Sequence, residues 1–265
     1  MLMVVKNQIR ITILSIKYAL MREMLNKTTF FTNIIFMILN NASFIIQWLV
    51  IYSLKDNIGG YQLKDIILLW GIASSTYGIA RFFFKKAFNL SETIINGKLD
   101  SFLVQPKNVL ISCITTDVEV SAIGDMIYGL IMLIIYGINI KNFILFTIFS
   151  ISGGFMLVSI SVILSSLSFW FTKTDLIADT INSQMVNFAT YPDSIFKGIA
   201  KIILYTIVPV GFVNYLPIHI INEFNLKLFL MIIGVSIALI AIAFKVFYKG
   251  LKRYSFSLST SAYNA

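Results

Sequence analysis

Residues 91-SETIINGKLDSFLVQPKN-108 lie between two long apolar runs. A connection between neighbouring helices needs only a few residues, and this one has about twenty. Asn89 and Glu92 have capping-box spacing, with Asn in the place usually held by Ser or Thr. The pattern predicts a short helix over 90–96, with Gly97 at the left-handed position that follows it. A second helical turn over 98–104 should end before Pro106. Ile94, Ile95, Leu99, Phe102 and Leu103 give the segment an apolar side, flanked by Lys98 and Lys107. Such a segment either anchors the chain at a membrane surface or seats an apolar ridge in the groove of a soluble partner.

The surrounding chain decides what the segment connects. Of 265 residues, 58% are hydrophobic and 12% are charged. The mean hydropathy is +0.85. A soluble domain carries about 25% charged residues. A soluble core could not hide this much apolar surface, so lipid is the solvent for much of the chain, and the reading is an all-α integral membrane domain. The net charge of +9 follows from the positive-inside bias of membrane proteins and does not call for nucleic acid. Cys113 is the only cysteine and His219 the only histidine, which excludes an internal disulfide and leaves too few ligands for a zinc, haem or iron–sulfur site.

Residues 1–27 interleave Lys6, Arg10, Lys17, Arg22 and Lys27 with Ile, Leu and Met, as an interfacial helix on the cytoplasmic leaflet would. No cleavable leader pattern is evident there, so the first span is expected to act as the insertion signal. Spans are expected near 28–54, 65–84, 109–138, 143–171 and 226–247. The first contains Asn33, Asn40, Asn41 and Gln47, which suit a face turned to other helices or to a pathway. Gly59-Gly60 and Lys141-Asn142 mark turns. Gly71/Ser75 and Ser74/Gly78 form overlapping small-xxx-small pairs fit for close packing. Two readings of the fifth span stay open. Either it is 174–191, with 193–222 a proline-broken re-entrant pair, or it is 199–221, interrupted by Pro209 and Pro217. Both give six spans. Both also put the three basic segments (the N-terminus, 81–108 and the C-terminal tail) on one side of the membrane.

Asp117, Glu119 and Asp125 lie in or near the third span, and acids there are candidates for a pathway or a proton relay. On a continuous helix Asp117, Ser121, Gly124 and Tyr128 would form one polar stripe. His219 and Glu223 have i, i+4 spacing but no further ligands nearby. No nucleophile–base–acid set can be assembled without that single histidine. No G-x-x-x-x-G-K-[ST] motif is present. The chain is therefore expected not to be an enzyme, and any ATP it uses is bound elsewhere.

Residues 94-IINGKLDSFLVQP-106 resemble the I-x-x-G-x-L-D-x-x-L-x-x-P signature of one branch of the ABC-2 type permeases. Ile94, Gly97, Leu99, Asp100, Leu103 and Pro106 match it. Gly124-Asp125 with Gly129, Tyr191-Pro192 with Ile195-Phe196, Val208-Pro209, Tyr215-Leu216-Pro217 and 247-FYKGLKRY-254 resemble further pieces of that branch in the same order. Ser255-Phe256-Ser257 depart from the expected tail. The resemblance implies a six-span permease with both termini cytoplasmic, an N-terminal interfacial helix (1–27) and one permease domain (28–265). It implies a coupling helix (89–106) between spans two and three and a re-entrant outer segment (193–222), which favours 174–191 as span five. It further implies an ATP-binding-cassette ATPase partner that carries ATP and Mg, and a second permease subunit in a homodimer or heterodimer within the cell membrane. Export by alternating access is the implied activity. The coupling surface would be Ile94, Ile95, Gly97, Leu99, Asp100, Phe102, Leu103 and Pro106. The pathway or gate would draw on Asn40, Asp117, Asp125, Tyr191, Pro192, Pro209 and Pro217. On that reading, Leu99→Asp with Phe102→Asp leaves the chain folded but uncoupled. The competing readings are a proton-coupled secondary transporter using Asp117, Glu119 and Asp125, and a lipid-modifying membrane enzyme.

Overall fold

The computed structural model describes the backbone of residues 2–171, 174–206 and 208–263, and the side chains of 6–171, 174, 176–206 and 208–254. The described residues form α-helices without a β-sheet. The first is α1 (Leu2–Glu23), on which Lys6, Arg10, Lys17 and Arg22 ride. Asn26 then caps α2 (Lys27–Leu54) by accepting a 3.1 Å hydrogen bond from the Thr29 N–H. The turn at Gly59-Gly60, with φ of +61° and +92°, leads into α3 (Leu63–Phe88). There the Asp65 carboxylate accepts from the Gln62 N–H at 2.9 Å.

Three short helices follow: α4 (Leu90–Ile95), α5 (Asp100–Leu103) and α6 (Val109–Ile114). Then come α7 (Ser121–Gly137), α8 (Ile140–Ser166) and α9 (Thr174–Ala189). The last three are α10 (Ile199–Thr206), α11 (Leu216–Asn222, preceded by a π-turn over Gly211–Tyr215) and the long α12 (Leu226–Tyr263).

Burial ranks the long helices. In the most apolar windows of α3 and α8, 67% of residues are buried, against 17% in those of α2 and α12. The first two therefore form the centre, and the others present broad apolar faces outward. α3 runs along α7 and α8, α2 packs on α7, and α12 packs on α8. Small residues set the α3–α7 spacing. A methyl group on Gly129 would collide with the Ser75 hydroxyl and come within 2.7 Å of the Gly71 carbonyl oxygen. One on Gly78 would lie 2.8 Å from the Ala122 carbonyl oxygen. Ser75 and Gly78 belong to the small-xxx-small pairs that the sequence marks for close packing.

Among the described residues, four helical stretches are long and apolar enough to cross a membrane: Lys27–Leu54, Leu63–Ile95, Ile140–Phe169 and Leu226–Tyr254. A fifth is added if Ile199–Thr206 and Gly211–Asn222, bent by 75° relative to each other, count as one. The chain is thus a multi-pass membrane protein. α7 is apolar but has 17 residues, and α9 has 16. Both are shorter than the ~20 residues that cover a bilayer core.

Two sequence expectations are corrected here. The stretch 109–138 is not one helix, because residues 115–120 break it between α6 and α7. Thr115, Thr116, Val118 and Val120 are β-branched, and Asp117 bonds its own chain by accepting from the Val118 N–H at 3.0 Å. The second concerns the turn expected at Lys141-Asn142, which falls at 137–139 instead. Gly137 has φ +129°, and Asn139 caps α8 by accepting from the Asn142 N–H at 2.8 Å.

Candidate functional site

Two regions concentrate the candidate residues. The first is the 89–106 segment. Asn89 ends α3 and begins α4 at φ −116°. The expected capping box does not form. Glu92 instead accepts from Lys98 Nζ at 3.1 Å, a charge-assisted bond that outcompetes a neutral backbone N–H. That bond holds the Glu92 carboxyl below its ordinary range. Gly97 turns the chain with φ +70°, and the Lys98 N–H bonds back to the Thr93 carbonyl at 3.1 Å.

Burial divides the expected apolar ridge. Leu99 (0% exposed) and Ile94 (3%) lie inside the chain's own core. Phe102 and Leu103 are half-buried. Ile95 (50% exposed) and Val104 (85%) face outward, and Asp100 and Pro106 are exposed. The expectation that Leu99 itself offers a docking surface is corrected: the two short helices fold back, so its side chain anchors the segment from within. Val104, absent from the expected set, is its most exposed apolar residue.

The segment is tied to the rest of the bundle. α4 touches α8, α9 and the turn Leu167–Phe169, while α5 touches α6. Tyr254, near the end of the apolar part of α12, donates a 2.8 Å hydrogen bond to Asp100 Oδ1. Its ring meets Phe169 edge-on at 6.0 Å.

The second region is a cavity of about 390 Å³ bounded by α2, α3, α7 and the end of α9. Asn40, Asp125 and Tyr191 line it together with Glu119, so these sequence candidates do converge. Asp125 accepts a 2.6 Å hydrogen bond from Asn41 Nδ2. Glu119 pairs with Arg81 at 3.2 Å. The walls are aromatic: Phe44 stacks on Trp70 at 5.5 Å, and Trp48 meets Tyr191 at 5.9 Å. Trp48, Trp70 and Arg81 were not singled out from the sequence as cavity residues. Their signal was faint, because aromatic and basic residues are common at span ends.

Asp117 does not join this cavity. It lies in the 115–120 break, so the stripe with Ser121, Gly124 and Tyr128 is not continuous. Asp117 pairs instead with Arg22 at 2.6 Å and Lys85 at 3.8 Å. With Gln8, which accepts from the Asn108 N–H at 2.9 Å, these contacts fasten α1 across α6.

Pro192, Pro209 and Pro217 are all buried and sit apart from the cavity. They shape the chain after α9, where Asp193 is a hub that the sequence reading did not identify. Tyr61 donates to it at 2.8 Å, Tyr205 at 3.3 Å, and Lys201 pairs with it at 2.9 Å. Burial alone would raise the Asp193 carboxyl, but Lys201 and Tyr61 outweigh burial and leave it below its ordinary value. The Tyr61 phenol is driven upward by burial and by that carboxylate. It is therefore a donor throughout the ordinary pH range.

The family model described as "ABC-2 family transporter protein" matches residues 37–257. That span takes in the 89–106 segment, the cavity and the Asp193 hub. No curated protein and no solved structure matches the chain.

Proposed function

We propose, from the premise that the chain belongs to the ABC-2 family of transporter proteins, that it is the membrane-spanning subunit of an ATP-driven exporter. The energy is supplied by a separate ATP-binding-cassette ATPase, which binds ATP and Mg. The chain itself catalyses no reaction. In this reading α2, α3, α7, α8, α9 and α12 are six spans of one permease domain, and both termini are cytoplasmic at the cell membrane. α1 is an interfacial helix. Residues 193–222 form a re-entrant outer segment, which the 75° bend between its two halves favours.

The observation that carries the mechanism is the build of 89–106. It is a packed element that shows Ile95 and Val104 outward, while α4 packs on α8 and the Tyr254–Asp100 bond ties it to α12. A bare linker could not transmit force. This segment can, because displacing it drags packed helices with it. ATP-driven closure of the partner would press on it and shift the bundle between inward- and outward-open populations. A second permease, the same chain or a related one, completes the assembly. The proton-relay reading loses two of its three acids, since Asp117 and Glu119 are already held in ion pairs.

The test is mild extraction of the tagged chain from its native membrane with mass spectrometry of what accompanies it. A stoichiometric ATPase bearing a P-loop is expected, and any second permease would identify the dimer type. A chain that emerges alone from several mild detergents would overturn the reading.

A further inference from the structure

The cavity between α2, α3, α7 and α9 carries an imbalance of charge. Among the described residues, the charged side chains that line it are Arg81, Glu119 and Asp125. Arg81 and Glu119 are 3.2 Å apart and cancel each other. Asp125 accepts from Asn41 and, among the described residues, forms no ion pair. Asp125 is thus left half-buried beside an Arg81 already taken up by Glu119, without an ion-pair partner of its own. Such a group is costly unless something compensates it. The same cavity is lined by the stacked Phe44–Trp70 pair and the Trp48–Tyr191 pair. Ring faces attract cations and repel anions. The cavity volume, about 390 Å³, lies within the range of sites for small organic molecules.

We infer that this cavity binds an amphipathic organic cation, with Asp125 as its counter-ion and the aromatic pairs as its walls. The inference rests on the permease reading only in taking the bound cation to be cargo. A neutral polar ligand would leave Asp125 uncompensated. An anion would meet that carboxylate and the ring faces together. The Arg81–Glu119 pair closes the end of the cavity near the 115–120 break. Asn41 serves as a positioning residue, holding one Asp125 oxygen so that the other is directed to the ligand.

The test is equilibrium dialysis of radiolabelled tetraphenylphosphonium against the full-length chain in phosphatidylcholine nanodiscs, with empty nanodiscs subtracted. Radiolabelled tetraphenylborate, of the same shape and opposite charge, is dialysed in separate cells, because the two ions pair and precipitate when mixed. The wild-type chain should bind the cation saturably and should show no saturable binding of tetraphenylborate. Asp125→Asn should weaken binding roughly tenfold or more, as loss of a poorly screened counter-ion would. Asp125→Glu should retain binding, and Asp56→Asn, in the exposed α2–α3 loop, should leave it unchanged. Equal binding by Asp125→Asn, comparable saturable binding of tetraphenylborate, or no saturable binding of the cation would each overturn the inference. If Asp125→Asn does not fold, the cation–anion contrast on the wild-type chain still decides. Dialysis uses neither ATP nor a partner. A failure here leaves the permease reading standing, and a missing ATPase in the extraction test leaves the binding site standing.

Discussion

Tyr61 Oη donates a 2.8 Å hydrogen bond to Asp193 Oδ1, joining positions 132 residues apart in the chain. The donor lies in the loop between α2 and α3, and the acceptor follows α9. The bond therefore clasps the start of the 193–222 segment to the first hairpin. Tyr52 extends the clasp by donating to the Tyr61 carbonyl at 2.9 Å. Removing the Tyr61 hydroxyl leaves a buried carboxylate short of a donor. Tyr61→Phe should cost about 2 kcal/mol, read as a lower thermal midpoint in detergent. An unchanged midpoint would mean that Lys201 and Tyr205 suffice.

The same cluster predicts a pH dependence. The folded-state carboxyl of Asp193 lies below its ordinary value of 3.8. Its stabilising contribution is therefore complete above that ordinary value and is lost as pH falls through the lowered one. Acid titration of the thermal midpoint should show a component that declines only below about pH 4. Asp193→Asn should flatten that component. If the variant titrates like the wild-type chain, other carboxylates are responsible.

The α3–α7 seam gives a packing prediction. Gly129→Ala places a methyl group against the Ser75 hydroxyl and 2.7 Å from the Gly71 carbonyl oxygen. The hydroxyl can rotate away, but the carbonyl cannot. A loss of about 1–3 kcal/mol is expected from overpacking, measured by denaturation in mixed micelles. Gly234→Ala on α12, which would meet nothing within 4 Å, should be neutral or slightly stabilising through helix propensity. Equal behaviour of the two would remove close approach as the cause.

Which parts of this were legible in the sequence follows from what each pattern encodes. The turns at Gly59-Gly60 and Gly97 were readable because positive φ selects glycine. The apolar runs of α2, α3, α8 and α12 were readable because lipid solvent demands them. The break at 115–120 was not. Hydropathy averages over it, although its β-branched run and Asp117 were a local warning. The inward turn of Leu99 was invisible as well. Two short helices can fold back in either sense, and only tertiary packing decides which apolar residues face the core. Asp193 illustrates a third limit: its donor Tyr61 lies 132 residues away, and no spacing rule links the two.

That inward turn changes which variants test the coupling surface. Ile95→Asp with Val104→Asp alters residues that are 50% and 85% exposed. The double variant should fold and reach the membrane with a near-wild-type thermal midpoint, yet, on the proposed permease function, fail to hold the proposed ATPase partner. Leu99→Asp puts a charge at a site with 0% exposure. It should cost more than about 4 kcal/mol and abolish accumulation of the chain. Retention of the ATPase by the exposed double variant would move the docking surface elsewhere.

Tyr254 and Asp100 supply the last test, because their bond links the segment to α12 without forming part of its outward face. Tyr254 donates through its hydroxyl to the Asp100 carboxylate at 2.8 Å. Its ring also rests on Phe169 at the end of α8, and that packing survives in Tyr254→Phe. The bond is solvent-accessible at Asp100, so its loss should cost no more than about 1 kcal/mol of stability. What it should remove is stiffness between the partner's footprint and the span. In proteoliposomes holding the whole transporter, Tyr254→Phe should keep the ATPase bound and turning over while transport per ATP falls. Asp100→Asn, which retains an acceptor oxygen, should be milder. If transport and hydrolysis fall together, the bond serves assembly instead, and force must reach α12 through the packing of α4 on α8 and of α8 on α12.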